Sequence, residues 1–368
     1  MKRYKRLLSL MICLALAAML AGCSGGSGDT PSGGDASGEP ETTVIKLALF
    51  EHGHLFNAIA EKEGYLADEG ITVQYVPVST DDEVFEGIAN GKIDVASNSG
   101  TNLPLYHISQ GMDLTIFGGY LLTGCMPVIA KVDTEWTGIE DLIGKTMACE
   151  PNLYAITGPL LDKGYDPVNQ ITWYETTDQM DRIKAVKSGE ADFALVGTQL
   201  NYEVNTDPEI KVLTYASDVL PNYSCCRVEA RTEWVNENPN TVKALLRAWI
   251  RAMAYYDTHH DESVAMMAEI TGKDEAFIRA YLDNPHCDPN VGPMKSSILR
   301  AWDYMDRLGL LDAKAQEIDI NDHINIRLYE EALDECQEKY GSENPQFYEK
   351  MQAQFSKYNL RDELLTGE

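Results

Sequence analysis

The sequence predicts an α/β protein of two lobes, each a mostly parallel sheet flanked by helices, with two crossover segments joining them. Three observations lead there. A repeat recurs at a spacing of about 100 residues. Within each copy strands alternate with helices, the pattern of a parallel sheet covered on its faces. A segment after the second copy then carries the chain back to the first.

The first copy opens with a strand from Val44 to Phe50. Thr80-Asp81-Asp82-Glu83 has the Ser/Thr-x-x-Glu capping pattern and starts a helix through Val84, Phe85 and Ile88 that stops at Gly91. The strand Ile93-Asp94-Val95-Ala96 follows. In the second copy a strand from Lys145 to Cys149 comes first. A helix then starts at Thr177-Asp178, runs through Met180, Ile183 and Val186 and stops at Gly189, and the strand Ala191 to Val196 follows. GKIDVASNSG and GEADFALVGT are the same unit, and EGYLADEGITVQYVPVSTDD aligns with KGYDPVNQITWYETTDQ across a short gap. Gly124 to Val132 leads out of the first lobe and Ser224 to Ala230 leads back. Asn238-Pro239 then opens a long helix with Val242, Leu245, Leu246, Trp249 and Met253 on one face, and further helices follow to Leu311. The expected organisation is 44–124 with 230–335 as the first lobe, 125–229 as the second, and 336–368 as a helical extension.

Residues 1–22 are expected to be a secretory signal: a basic start, an apolar run from Leu7 to Leu20, then small residues. Leu20-Ala21-Gly22-Cys23 resembles the bacterial lipobox, which implies cleavage before Cys23 and lipid attachment to its thiol. Residues 24–43 are rich in Gly, Ser, Pro and acid, cannot bury apolar area, and with Cys23 form the expected lipid-anchored tether, 23–43.

Charge excludes one class of partner. The chain has 30 basic and 58 acidic residues, and loss of Lys2, Arg3, Lys5 and Arg6 with the leader takes the formal net charge from −28 to −32. Nucleic-acid binding draws on Lys and Arg neutralising phosphates, so no nucleic-acid partner is expected. Anionic lipid finds no positive patch either, so membrane attachment is expected through the lipid.

Together, the order of elements, AEKEGYLADEGITV, GKIDVASNSG, TGIEDLIGKTMACEPN and DHINIRLYEEAL resemble the family of sulfonate, taurine, nitrate and thiamine-precursor binding proteins over most of residues 44–335. The resemblance implies a type II periplasmic-binding-protein fold, a small-molecule solute, and the membrane permease of an ABC importer as partner. It implies an exported, monomeric chain anchored to the outer face of the cell membrane, without cofactor or catalysis.

Ligands of open α/β sheets sit at the carboxyl ends of the strands. That rule selects Glu51, His52 and His54; Ser97, Asn98, Ser99, Gly100 and Thr101; and Gly118, Gly119 and Tyr120 from the first lobe. The second lobe contributes Glu150, Asn152, Leu153 and Tyr154, then Gly197, Thr198 and Gln199. Hydroxyls, amides and free N–H groups could hold an anion, or could simply cap helices. Glu51 and Glu150 instead suit a solute that donates protons, such as an amine or a thiamine-type pyrimidine, with Tyr120 and Tyr154 as stacking faces. A sulfonate, taurine or nitrate ligand is the alternative.

Several motifs mislead. Gly22-Cys23-Ser24-Gly25-Gly26 lies at the cleavage site, and the Gly-Lys-Thr ending at Thr146 has the wrong spacing and precedes a strand. Glu51-His52-Gly53-His54 lacks the spacing of a strong metal motif, and His259-His260-Asp261-Glu262 reads as the start of a surface helix. Cys225 and Cys226 are expected to face opposite sides of a strand and to stay reduced, with a redox switch as the alternative. An enzyme like the thiamine-pyrimidine synthases that resemble this family is the competing activity, and a sensor ectodomain is a third class.

Overall fold

Residues 38–360, apart from residue 177, are described by a computed structural model of the chain. The signal and Cys23 lie outside them.

Eleven strands form two sheets: β1 (Val44–Leu49), β2 (Thr72–Pro77), β3 (Val95–Gly100), β4 (Leu114–Thr123), β5 (Pro127–Lys131), β6 (Thr146–Ala148), β7 (Thr172–Trp173), β8 (Phe193–Leu195), β9 (Ile210–Tyr215), β10 (Cys226–Arg231) and β11 (Asp288–Pro289). The first sheet has the order β11-β4-β10-β3-β1-β2 and the second β7-β6-β8-β5-β9. Without β11, the two orders match strand for strand. In the first sheet β1 pairs parallel to β2 and β3, while β10 runs antiparallel between β3 and β4. In the second, β6 pairs parallel to β7 and β8, and β5 runs antiparallel between β8 and β9. Leaving aside β11, which also runs antiparallel to β4, each half therefore receives its reversed strand from the chain that has just left the other half. The two lobes and their two crossovers follow from this exchange.

The repeat extends to single hydrogen bonds. The Asp94 carboxylate accepts from the Lys46 N–H at 2.9 Å while the Asp94 N–H donates to the Lys46 carbonyl at 2.8 Å. Asp192 makes the same pair with Thr146, both at 2.9 Å. In both copies the aspartate immediately before the third strand ties it to the first strand, so these acids serve the fold rather than the ligand.

Local signals act as the sequence predicts. The Thr80 hydroxyl caps the helix Asp81–Ala89 by accepting from the Glu83 N–H at 3.3 Å, and the Glu83 carboxylate reaches back to the Ser79 N–H at 2.6 Å. Asp178 caps the helix Gln179–Ser188, which ends on left-handed Gly189. The helix Pro239–Thr258 buries Val242, Leu245, Leu246, Trp249 and Met253. Its face joins the core of the first half, to which the helix Pro345–Asn359 adds Phe347, Tyr348, Met351 and Phe355. The helix Arg327–Tyr340 runs unbroken through residue 336, so the extension has no structural boundary there. The second sheet has a cluster on each face: Val128 and Ala130 of β5 lie in one and Ile129 in the other, as strand alternation requires.

One expectation fails in the return crossover. Asn222 and Ser224 adopt φ of 53° and 65°, a left-handed conformation uncommon outside glycine. Cys225 consequently precedes β10 instead of lying in it, and its sulfur sits 3.4 Å from that of Cys226 rather than on the opposite face. All six cysteines among the described residues are free thiols.

Candidate functional site

The carboxyl ends of the parallel strands of both sheets face a common cleft, across which Asn102 Nδ2 donates to Asn152 Oδ1 at 3.2 Å. On one flank Asn284 reaches the Tyr215 hydroxyl at 3.1 Å and His286 stacks on the Tyr215 ring at 4.1 Å. On another, the Tyr304 hydroxyl donates to the Asp162 carboxylate at 2.5 Å. Side chains of the first half and its C-terminal helices thus meet the second half at several points.

His52 and His54 follow β1. Asn98 Nδ2 donates to His52 Nε2 at 2.7 Å. His52 is half-open to water yet ringed by protein, and this partial desolvation holds its pKa down to about 4. His54 is buried between the rings of Tyr120 at 4.3 Å and Trp249 at 4.9 Å. Its Nδ1 accepts from the Asn57 N–H at 3.1 Å and caps the helix Leu55–Lys62, which assigns the proton to Nε2. Burial lowers its pKa to about 3, so the ring is neutral at pH 7.

Neither expected carboxylate stands open. Glu51 points to water, its side chain 82% exposed, and pairs with Lys273 Nζ at 2.6 Å. Glu150 receives Arg182, one terminal nitrogen of which donates to both carboxylate oxygens at 2.7 Å. The loops themselves contain no Lys or Arg, but Lys273, in another loop, reaches Glu51 and the helix Gln179–Ser188 supplies Arg182 to Glu150. In this arrangement each carboxylate is held by a cation instead of standing open to a proton-donating solute.

The tyrosines are also engaged. The Tyr120 hydroxyl accepts from the Leu55 N–H at 3.2 Å. The Tyr154 hydroxyl reaches the carbonyls of Tyr223 and Ser224, the latter at 2.8 Å. Both rings are buried, so in this arrangement neither is an open stacking face. Thr101 serves the crossover as well, its hydroxyl donating to the Ser224 carbonyl at 2.6 Å.

The glycines divide. Gly118 and Gly119, expected in a loop, lie inside the ten-residue β4. A Cβ on Gly119 would stand 2.5 Å from the Gly292 carbonyl and 2.6 Å from Arg227 Nη1, so this glycine makes room for a buried arginine instead of a ligand. Gly197 donates its N–H to Gln179 Oε1 at 2.5 Å, beside Gln199. Leu153 precedes the helix Tyr154–Asp162 and packs on the second-half core. Ser97, Asn98, Ser99 and Gly100 form the end of β3 itself. The hydroxyls of Ser97, Ser99 and Thr198 are buried without a hydrogen-bond partner among the described residues.

Sequence reasoning missed three charged groups here. Asp81 opens its helix exposed to water yet crowded by protein; that crowding, Asp82 and Glu150 push its pKa up to about 6, while Arg182 opposes them. Arg227 and Glu229 on β10 are each 0% exposed. Burial drives the Glu229 carboxyl far above its ordinary value, Asp81 adds to this, and Ser99 and Arg227 oppose it. The signal was present in SCCRVEA, where two charges interrupt an otherwise apolar segment read as the return crossover.

A sequence model described as NMT1/THI5 like matches residues 51–263. A search of curated protein sequences finds no relative. Among solved structures, the periplasmic aliphatic sulphonate binding protein SsuA from Escherichia coli is 17% identical and superposes with a TM-score of 0.64 over 77% of this chain and 92% of that one. The periplasmic nitrate-binding protein NrtA from Synechocystis PCC 6803 is 17% identical, with a TM-score of 0.63 over 81% and 90%. The ligand-binding component of an ABC-type import system from Staphylococcus aureus, solved with zinc bound, is 13% identical, with a TM-score of 0.63 over 79% and 99%. At these identities the likeness establishes a shared fold.

Proposed function

Because the chain belongs to the NMT1/THI5-like family, we propose that it is the solute-binding lipoprotein of an ABC importer, holding a small polar nitrogen- or sulfur-containing solute between its two lobes. The observation that carries this reading is the exchange of β5 and β10 between two matching sheets, which turns the carboxyl ends of both sets of parallel strands toward one cleft. The role is non-catalytic. His54 is committed to capping a helix between two rings and His52 to Asn98, so neither histidine is free to move a proton.

For the solute, an amine-bearing molecule such as a thiamine-type pyrimidine remains our preference. It now rests on Asp81, which among the described residues is in no ion pair, and no longer on Glu51 and Glu150. A sulfonate or nitrate solute is the second reading, favoured by Arg182 at the cleft and by the sulphonate-binding and nitrate-binding proteins among the structural neighbours. Mass spectrometry of small molecules released from the full chain, purified without refolding, tests the role. A polar nitrogen or sulfur compound at near-stoichiometric amount is expected, and a chain that neither carries nor captures one would sink the reading.

Anchoring rests on the lipobox resemblance at Cys23, and the partner is the membrane permease of the importer, approached by a monomer on its tether. Among the described residues no helix is long and apolar enough to cross a membrane. Cys23→Ala is expected to abolish incorporation of a fatty-acid analogue, and label retained on the variant would refute the anchor.

A further inference from the structure

Inside the first sheet lies a polar group with nothing to bond. Both carboxylate oxygens of Glu229 are buried without a hydrogen-bond partner among the described residues, and so are the hydroxyls of Ser97 and Ser99. Ser97 and Ser99 alternate on one face of β3, and Ser99 is the antiparallel partner of Arg227, two residues before Glu229. A bulge between Arg227 and Glu229 re-aims the strand at this point. The Ser99 hydroxyl and the Glu229 carboxylate are close enough to interact.

We propose that Glu229, with Ser97 and Ser99 beside it and Asp81 as a second carboxylate, forms the acceptor subsite for the proton-donating end of an organic amine or cation. This deepens the solute-binding reading above and rests on it.

Arg227 does not satisfy this carboxylate. Its Nη1 donates to the carbonyls of Gly292 at 2.9 Å and Pro293 at 2.8 Å, and its Nη2 to the Leu121 carbonyl at 2.8 Å. The guanidinium is therefore used in tying β4 and the segment after β11 to β10. A carboxylate left bare at such depth is costly, so in the empty protein Glu229 holds its proton. An ammonium or amidine group arriving beside it replaces that proton with a charged hydrogen bond.

The position suits a ligand. Ser99 is the penultimate residue of β3, at the carboxyl end of a parallel strand. Asp81, exposed at the start of the helix Asp81–Ala89, feels the charges of Glu150 and Arg182 of the second half and raises the pKa of Glu229 in the first. With Glu150 held by Arg182, the carboxyl groups left here without an ion pair among the described residues are Glu229 and Asp81. Glu229 has no access to water in this arrangement, so a solute reaches it when the halves part and the Asn102–Asn152 bond opens.

Calorimetric titration of the full chain and its Glu229→Gln variant with 4-amino-5-hydroxymethyl-2-methylpyrimidine, n-butylamine and ethanesulfonate tests the assignment. At least one nitrogen probe is expected to bind the parent and to weaken about 10- to 100-fold in the variant. Binding of n-butylamine, an ammonium at pH 7, should release the Glu229 proton, seen as a heat that depends on the buffer, and the variant should release none. The aminopyrimidine, neutral at pH 7, takes that proton onto its ring, so release is tested with n-butylamine alone. The charged groups facing Glu229 are Arg227 on its own strand and Asp81, and Asp81 is already ionised at pH 7. Without ligand, Glu229→Gln should match or exceed the parent in Tm, since it replaces a buried neutral carboxyl with an uncharged side chain of nearly the same shape. Binding of ethanesulfonate alone would overturn the subsite and leave the solute-binding role standing. Equal nitrogen-probe affinity in the variant, absence of proton release when n-butylamine binds, a lower Tm of the empty variant, or no binding of either nitrogen probe would each overturn it too. The mass-spectrometric test judges the broader role separately.

Discussion

Between pH 6.5 and pH 5 the parent protein is expected to lose about 2 kcal/mol more stability than a His54→Gln variant. The sign follows from proton counting. An unfolded histidine titrates near its ordinary 6.5, but the folded ring resists protonation down to about 3. Below pH 6.5 the unfolded chain therefore binds a proton that the folded chain cannot, and stability falls at about 1.4 kcal/mol per pH unit until the folded pKa is reached. The physical cause is the sandwich of Tyr120 and Trp249 around a ring whose Nδ1 already accepts from Asn57. Protonating Nδ1 would destroy the cap and place a charge between two buried rings. Asp81 and Glu229 act in the opposite direction, because their raised pKa values make the folded chain the better proton binder as pH falls. The comparison is therefore one of slopes against the variant, by denaturant unfolding at each pH. Parallel slopes would show that His54 takes up its proton without leaving the stack.

The architecture was legible because it is written locally. The capping pattern at Thr80, the Asp178 start, the stops at Gly91 and Gly189 and the paired phrases around Asp94 and Asp192 are all short-range signals, and all have structural counterparts. The candidate site was legible as a set of loops but not as chemistry. Glu51 is neutralised by Lys273 and Glu150 by Arg182, partners 222 and 32 residues away that no spacing rule identifies. Asn222 is a residue that tolerates the left-handed region, but Ser224 carries no such signature, so the approach of the two cysteine sulfurs was invisible in advance. Gly119 looked like a loop glycine because its true reason, a guanidinium packed against it, comes from a strand more than a hundred residues on. What sequence could not supply was the pairing of charges, and in this cleft that pairing decides which ligand charge is tolerated.

Arg227→Met should destabilise the protein by about 3 to 5 kcal/mol, the range for removing one member of a buried polar network. Three carbonyls from three positions, Leu121, Gly292 and Pro293, converge on this one side chain, and methionine offers none of them a donor. A buried carbonyl left unpaired costs about 1 to 3 kcal/mol, while relief of the buried guanidinium's own desolvation offsets part of the sum. Methionine ends where Arg227 has its Nε, so the loss reports the bonds together with the space the guanidinium leaves beside Gly119. Shape gives a second constraint, since the space above Gly119 accepts only the flat guanidinium edge. The effect has the opposite sign to that expected of Glu229→Gln two residues later, although both changes remove a buried ionisable group from the same face of β10. Combined, the two should cost less than the sum of their separate effects, because Arg227 is the cation that opposes the raised pKa of Glu229. Urea unfolding of the two single variants and the double variant measures all three values. A loss below about 1 kcal/mol for Arg227→Met, with an unchanged m-value, would mean that the guanidinium's desolvation cancels its three bonds, and the strand would then be held by packing alone.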